Sequence, residues 1–155
     1  LHDGKVEQIG APSELYLRPV NMFVGSFMGP ANLLTGRVID IQQDMASLQL
    51  NDSGFAGQHV RGMLHQEICA HQWQETFHLL CRPADICLHA QKEAGNRPNV
   101  LAGTVTFSSF VGGRWRTLIE VGDQKQSVLA FAEAPATLHA PVWVEFPPER
   151  CLVLP

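Results

Sequence analysis

The residues best suited to chemistry lie in the run Ser108-Ser109-Phe110-Val111-Gly112-Gly113-Arg114-Trp115-Arg116. Two hydroxyls, a Gly-Gly pair and two arginines could embrace an oxyanion through donated hydrogen bonds and charge. Ser108, Ser109, Gly112, Gly113 and Arg114 are therefore candidate ligand residues. The same spacing also suits a β-hairpin in which Gly112 and Gly113 supply the positive φ angles of the turn and the arginines are solvated. Arg82 could also meet an anion, although Asp85, in its own turn, is the expected partner. A zinc site would have to draw on His65, Cys69, His71, Cys81, Cys87 and His89. These residues include no CxxC pair and match no tight ligand knuckle, so buried, reduced cysteines are expected instead. Nucleophilic catalysis needs a serine or cysteine beside a base, and no GxSxG elbow is present. The chain also lacks a GxxxxGK[ST] loop; Gly54-Phe55-Ala56-Gly57-Gln58-His59 is not one. A small independent enzyme is thus the weakest reading of these residues.

The elements that must position these residues follow from composition and pattern. The 155 residues are 45% hydrophobic and 17% charged, the balance of an ordinary globule rather than a disordered tail. Eleven basic and fifteen acidic residues leave a net charge of −4, which argues against a phosphate-backbone binder. Trp73, Trp115 and Trp143 are accordingly expected in core or interface roles rather than as a base-stacking platform. No apolar run approaches the roughly 20 residues of a membrane span. The chain opens on Leu1, not Met, and the expectation is that it begins inside a longer protein or that its start has been processed or trimmed.

Along the chain, Asp3-Gly4 reads as a turn, and Pro12-Ser13-Glu14 opens a short helix that Pro19 ends. Asn21 caps a second helix to about Met28, with Phe23/Phe27 and Val24/Met28 as apolar i,i+4 pairs and Gly29-Pro30 as its stop. From Leu33 onward, short strands are broken by Gly, Asn, Asp and Pro. Gln66 to Glu75 reads as either loop or short helix. The strand region repeats itself. Leu34-Thr35-Gly36-Arg37-Val38 and Leu101-Ala102-Gly103-Thr104-Val105 open two passes. His78-Leu79-Leu80-Cys81-Arg82-Pro83-Ala84-Asp85-Ile86-Cys87-Leu88 and Val144-Glu145-Phe146-Pro147-Pro148-Glu149-Arg150-Cys151-Leu152 close them. The expected fold is all-β, two similar small half-barrels over about 33–90 and 100–155, preceded by a short helical segment.

The run Gly4-Lys5-Val6-Glu7-Gln8-Ile9-Gly10-Ala11-Pro12-Ser13-Glu14-Leu15-Tyr16, continued by Arg18-Pro19 and by Asn21 to Gly29, resembles the end of the ATPase domain in importer-type ABC transporters. There the pattern is roughly G-x-[IV]-x-Q-x-G-x-P-x-x-[LI]-Y-x-x-P. Ala31-Asn32-Leu33-Leu34-Thr35-Gly36 looks like that family's passage into its C-terminal extension. Arg82-Pro83-Ala84-Asp85-Ile86 resembles the extension's [VL]-R-P-E-D-[IL], with Ala84 in the glutamate position. Phe146-Pro147-Pro148-Glu149-Arg150 resembles its closing F-x-P-E-x. The resemblance implies that residues 1–30 are the tail of the nucleotide-binding domain with a helical linker. It implies that residues 31–155 are a regulatory domain of the TOBE or oligomer-binding-fold type. ATP and Mg would belong to the upstream ATPase domain, with no cofactor in this segment. The implied partners are a second copy of the chain, the upstream ATPase domain and membrane permease subunits, without nucleic acid. The implied location is the cytoplasmic face of the cell membrane. Iron, polyamine, sulfate, phosphonate and sugar importers share the pattern, so the solute stays open. With no ATPase domain beside it, the segment Leu1–Gly10 is expected to fray or to borrow an edge from another chain.

Overall fold

A computed structural model describes residues 2–51, 58–64, 68–69, 72–73, 75–91 and 97–155. Half of the expected loop or helix at 66–75 lies outside the described residues. The fold is mostly β. Among the described residues, ten strands follow two short helices: α1 Pro12–Leu17, α2 Met22–Phe27, β1 Asn32–Gln42, β2 Met45–Leu50, β3 His59–Met63, β4 Phe77–Cys81, β5 Cys87–His89, β6 Val100–Val111, β7 Arg114–Val121, β8 Gln126–Ala132, β9 Pro141–Glu145 and β10 Cys151–Leu154.

The helices form for local reasons. Pro12 and Glu14 occupy the first turn of α1, where a missing N–H costs nothing and a carboxylate meets the positive end of the helix dipole. The Asn21 side chain accepts from Val24 N at 3.0 Å and so caps α2. Gly29 then leaves the helix at φ +144°, a conformation that favours glycine. Within the chain, residues 7 and 8 are tied to the helical segment by side-chain hydrogen bonds. The Gln8 amide donates to Arg18 O at 3.0 Å and accepts from Val20 N at 3.1 Å, imitating a strand partner. Glu7 accepts from Asn21 Nδ2 at 2.7 Å. A side-chain amide thus supplies the pairing that a neighbouring strand was expected to give.

The strands make two sheets. The first is a closed barrel in the order β1-β2-β3-β10-β4, and the second is a five-stranded sheet in the order β5-β9-β6-β7-β8. The barrel is antiparallel except where β10 meets β3 through Leu152 and Met63. Each sequence repeat therefore gives its last strand away. β5, which closes the first repeat, pairs with β9 of the second sheet, whereas β10, which closes the second repeat, completes the first barrel. Gly36 and Gly103, the glycines of the repeated opening, serve the same purpose in both. A Cβ on Gly103 would meet Ile119 Cγ2 at 2.6 Å and Glu120 O at 2.9 Å, and one on Gly36 would strike the Gln49 carbonyl. Both strands need a residue without a side chain for their neighbours to approach.

One apolar core spans both sheets. Leu34, Leu48, Val60, Phe77 and Leu79 fill the barrel, and Leu101, Val105, Ile119, Val128 and Val144 continue it. Two asparagines stitch the seam in matching ways. Asn32, at the start of the first repeat, donates to Leu129 O and accepts from Leu129 N, both at 2.8 Å. Asn99, preceding the second opening, accepts from Arg61 N and donates to Arg61 O, both at 2.6 Å. Each asparagine clasps the third strand of the opposite repeat, β8 in one case and β3 in the other. A single side chain thus supplies the bond pair that a strand neighbour would.

Candidate functional site

The hairpin that carries the candidate anion residues is formed by β6 and β7. Val111 pairs with Arg114, leaving Gly112 and Gly113 as a two-residue turn with φ of +63° and +85°. Positive φ at both positions matches the right-handed strand twist, and glycine adopts it without strain. Ser108 and Ser109 are strand neighbours and so face opposite sides. Ser108 Oγ lies 3.4 Å from Thr117 Oγ1 and accepts from Ala136 N at 3.4 Å. Arg114 and Arg116 are exposed beside Phe110, which is 60% exposed and packs its ring against Trp115 at 5.5 Å. The five candidate residues are thus strung along both strands and the tip.

The potential zinc ligands are separated by the strand exchange. Cys81 lies in the barrel opposite Cys151, whereas Cys87 and His89 lie on β5 in the second sheet. His65 and His71 lie outside the described residues, and among those described no group of three His, Cys, Asp or Glu is placed to hold a metal. His89 Nε2 instead sits 2.6 Å from Glu145 Oε2, which Arg97 also approaches at 3.4 Å. Cys81 and Cys151 are fully buried free thiols, and Cys69 and Cys87 are exposed. Hydrogen bonding to Cys81, then burial, pushes the Cys151 thiol far above its ordinary 9.0. A disulfide reagent is expected to modify Cys69 and Cys87 in the native protein and to reach Cys81 and Cys151 only after unfolding, as mass spectrometry can count. The raised folded-state value means that this thiol's stabilisation is complete below the unfolded pKa and is lost above it. The urea midpoint is accordingly expected to fall as pH rises beyond about 9.

Arg82 departs most from expectation. Its guanidinium reaches the helices, and the residue is only 5% exposed. Nη1 donates to Gly25 O at 2.9 Å, Gly29 O at 3.1 Å and Pro30 O at 3.2 Å. Nη2 donates to Tyr16 O at 3.2 Å, and Cζ lies 4.2 Å from the Tyr16 ring centroid. The physical reason is that α2 ends without a basic residue in its last turn, leaving carbonyls unsatisfied at the negative end of its dipole. The Arg82 cation, which directly follows β4, meets that need. Burial pulls the Arg82 pKa below its ordinary value, with Tyr16 and Asp85 acting in the opposite sense. The uncapped end of α2 was the signal in the sequence that could have revealed this contact. The result is a rivet: one side chain holds α1, α2 and their exit loop on the barrel. Gly25 packs against Leu80 and Leu154 at the same place, where a Cβ would collide.

The seam between the sheets also holds a polar cavity of about 550 Å³ whose lining includes Asp40, His59, Arg61, Arg97 and Asn99. A second, more apolar cavity of about 570 Å³ opens between β5 and β8, among Leu88, Val105, Phe131 and Val142.

A closed barrel joined to a second small sheet, with a helical segment riveted to it, defines a β module of the oligomer-binding-fold kind. Residues 79–154 match the TOBE domain family, and this chain carries the TOBE-containing C-terminal region of importer-type ABC ATP-binding proteins. It is 32% identical to the spermidine/putrescine import ATP-binding protein PotA of Protochlamydia amoebophila over 93% of this chain and 39% of that protein. It is 30% identical to PotA of Nitrosomonas eutropha over 82% of this chain and 34% of that protein. It is also 30% identical to the Fe(3+) ions import ATP-binding protein FbpC of Rhizobium etli, over 73% of this chain and 28% of that protein. The chain thus spans about a third of the length of these relatives. Among solved structures, the cytoplasmic molybdate-binding protein ModG with molybdate bound shares the fold. Its TM-score is 0.60 at 10% identity, over 80% of this chain and 96% of that one.

Proposed function

We propose that this chain regulates and helps to dimerise the ATP-binding subunit of an importer, and that it couples solute uptake to control without catalysing a reaction itself. The observation that carries the reading is the Arg82 rivet. It fastens the segment resembling the end of an ATPase domain to the β module. A displacement of the upstream ATPase domain would therefore move the barrel as one body, and a bias applied to the barrel would be felt upstream, because such coupling is reciprocal. ATP and Mg would be handled upstream, and permease subunits would hold the assembly at the inner membrane face. No helix among the described residues is long and apolar enough to cross a membrane. Relatives named for polyamine and for iron import match alike, so the shared feature is the regulatory region rather than the solute.

Light scattering over a concentration series tests the assembly part of this reading. A dimer at micromolar concentration is expected, and a monomer throughout would remove self-association from this chain. The second reading is direct anion binding at the β6–β7 tip through Ser108, Ser109, Gly112, Gly113 and Arg114. It is favoured by Arg114 and Arg116, exposed on one strand face.

A further inference from the structure

We propose that Cys81 and Cys151 form a covalent modification site, in which an oxidant of the small-disulfide class joins them when β10 leaves and regains the barrel. The bond fastens β10 to β4. Strand pairing sets the two residues directly opposite one another, Cys151 against Cys81 in the antiparallel register. Directly opposed residues of such a pair share a face of the sheet, with Cα atoms roughly 4.5 or 5.5 Å apart. Either separation falls within the roughly 4.4–6.8 Å that a disulfide spans. The thiols also meet: Cys151 hydrogen-bonds to Cys81, whose Sγ donates to Arg82 O at 3.8 Å. Both are free and buried. Cys87 faces Glu145 on β9, and Cys69 is exposed outside the strands. Among the described residues, Cys81 and Cys151 are therefore the cysteines that strand register brings together.

The same burial decides when the bond forms. Thiol–disulfide exchange needs a thiolate, and the hydrogen bond to Cys81, with burial, keeps the Cys151 thiol protonated in the closed barrel. With β10 displaced, both thiols meet solvent and ionise near the ordinary thiol value of roughly 8.5. The strand is held on one side by four register pairs with β4 and on the other by Leu152 against Met63 alone. Local opening of so narrow an attachment exposes the pair without unfolding the second sheet. One protein thiolate attacks the small disulfide and releases one of its halves as a thiolate, leaving a mixed disulfide on the protein. As β10 approaches β4, the second protein thiolate attacks the protein sulfur of that mixed disulfide. The Cys81–Cys151 bond forms and the other half leaves as a thiolate. Two protein thiols are oxidised, one small disulfide is reduced to two thiols, and the two protein protons end on the released thiolates. The site therefore records an opening of the barrel. Arg82 directly follows Cys81, so the bond lies one residue from the guanidinium that holds the helices. The site rests on barrel geometry and is independent of self-association.

The test unfolds the reduced wild-type chain in urea and refolds it with a mixture of oxidised and reduced glutathione. Free thiols are then alkylated, and peptides are mapped by mass spectrometry without reduction. Cys81 linked to Cys151 is expected as the dominant product. Loop closure alone favours the near neighbour Cys87 over the distant Cys151 as the partner of Cys81. A dominant Cys81–Cys87 link, or no link, overturns the proposal. The folded chain treated without urea is expected to form the bond at least about tenfold more slowly, because the closed barrel shields both thiols. An equal rate overturns the route through opening. The linked chain is expected to unfold at a higher urea concentration than the reduced one and to return to the lower midpoint with dithiothreitol. An unchanged or lower midpoint overturns the fastening of β10. Cys151→Ala is expected to abolish both the link and the midpoint shift. Should that variant fail to fold, a chain carrying Cys69→Ser and Cys87→Ser, both exposed positions, decides by the same two readouts. A link with a raised midpoint supports the site, and free thiols after refolding overturn it.

Discussion

Replacing Arg82 by methionine is expected to destabilise the protein by about 3–5 kcal/mol and to release residues 12–30 from the barrel. Methionine keeps most of the aliphatic volume, so the effect is read as loss of the charged fork rather than of packing. Four carbonyls, on Tyr16, Gly25, Gly29 and Pro30, lose their donor at once. A hydrogen bond to a charged group contributes roughly 1.5–3 kcal/mol, but bonds sharing one side chain do not add, which sets the total well below four times that figure. Arg82→Lys is expected to recover only part of the loss. An ammonium reaches fewer of the carbonyls and lies less well on the Tyr16 ring. Urea unfolding measures the stability, and limited proteolysis between Arg18 and Pro30 reports the release. A midpoint unchanged within error, with cleavage unaltered, would mean that apolar contacts such as Val24 and Gly25 on the barrel hold the helices without the rivet.

Asn99→Ala is expected to cost a similar amount, about 3–4 kcal/mol, for two separable reasons. Alanine loses the bonds to Arg61 N, Arg61 O and Phe146 O, three partners that lie in two different strands or their continuations. It also has to adopt φ near +62°, where a Cβ is unfavourable by roughly 1 kcal/mol. Asn99→Gly removes only the second penalty and is expected to be about 1 kcal/mol more stable than Asn99→Ala while remaining below the wild type. Asn99→Asp keeps the shape but turns lone pairs toward the Arg61 and Phe146 carbonyls, so it is expected to be no better than alanine. Hydrogen exchange at the Arg61 amide should quicken in all three variants. A glycine variant as stable as the wild type would show that the asparagine is kept for its backbone angle alone.

The local features of this protein were readable because they are local. Proline and glutamate at the start of α1, the Asn21 cap, the Asp3-Gly4 turn and the Gly112-Gly113 hairpin depend on residues within a few positions of one another. The repeated Leu-x-Gly-x-Val opening also gave the two-part β architecture. The partner of each closing strand was not readable. Alternating apolar residues in Cys87-Leu88-His89 and Cys151-Leu152-Val153-Leu154 identify a strand but not the edge it joins, and each joins the opposite sheet. Arg82 was misassigned for the same reason: Asp85 is near in sequence, whereas the carbonyls that claim the side chain are more than fifty residues away. Asn32 and Asn99 do carry a signal, since each stands two residues before the repeated leucine, and only the structure shows that both act as strand substitutes.

The exchange of closing strands also fixes when the barrel can exist. β10 is made last among these residues, long after β1, β2, β3 and β4 have left the ribosome, and until it arrives the facing edges of β3 and β4 lie open. A nascent chain halted before Cys151 would therefore display two unsatisfied strand edges beside an uncovered apolar interior, the features that chaperones and proteases engage. Closure of the barrel thus reports that Cys151–Leu154 has been made: strands synthesised early are sealed by one synthesised much later, and a chain cut before Cys151 lacks the partner for both edges.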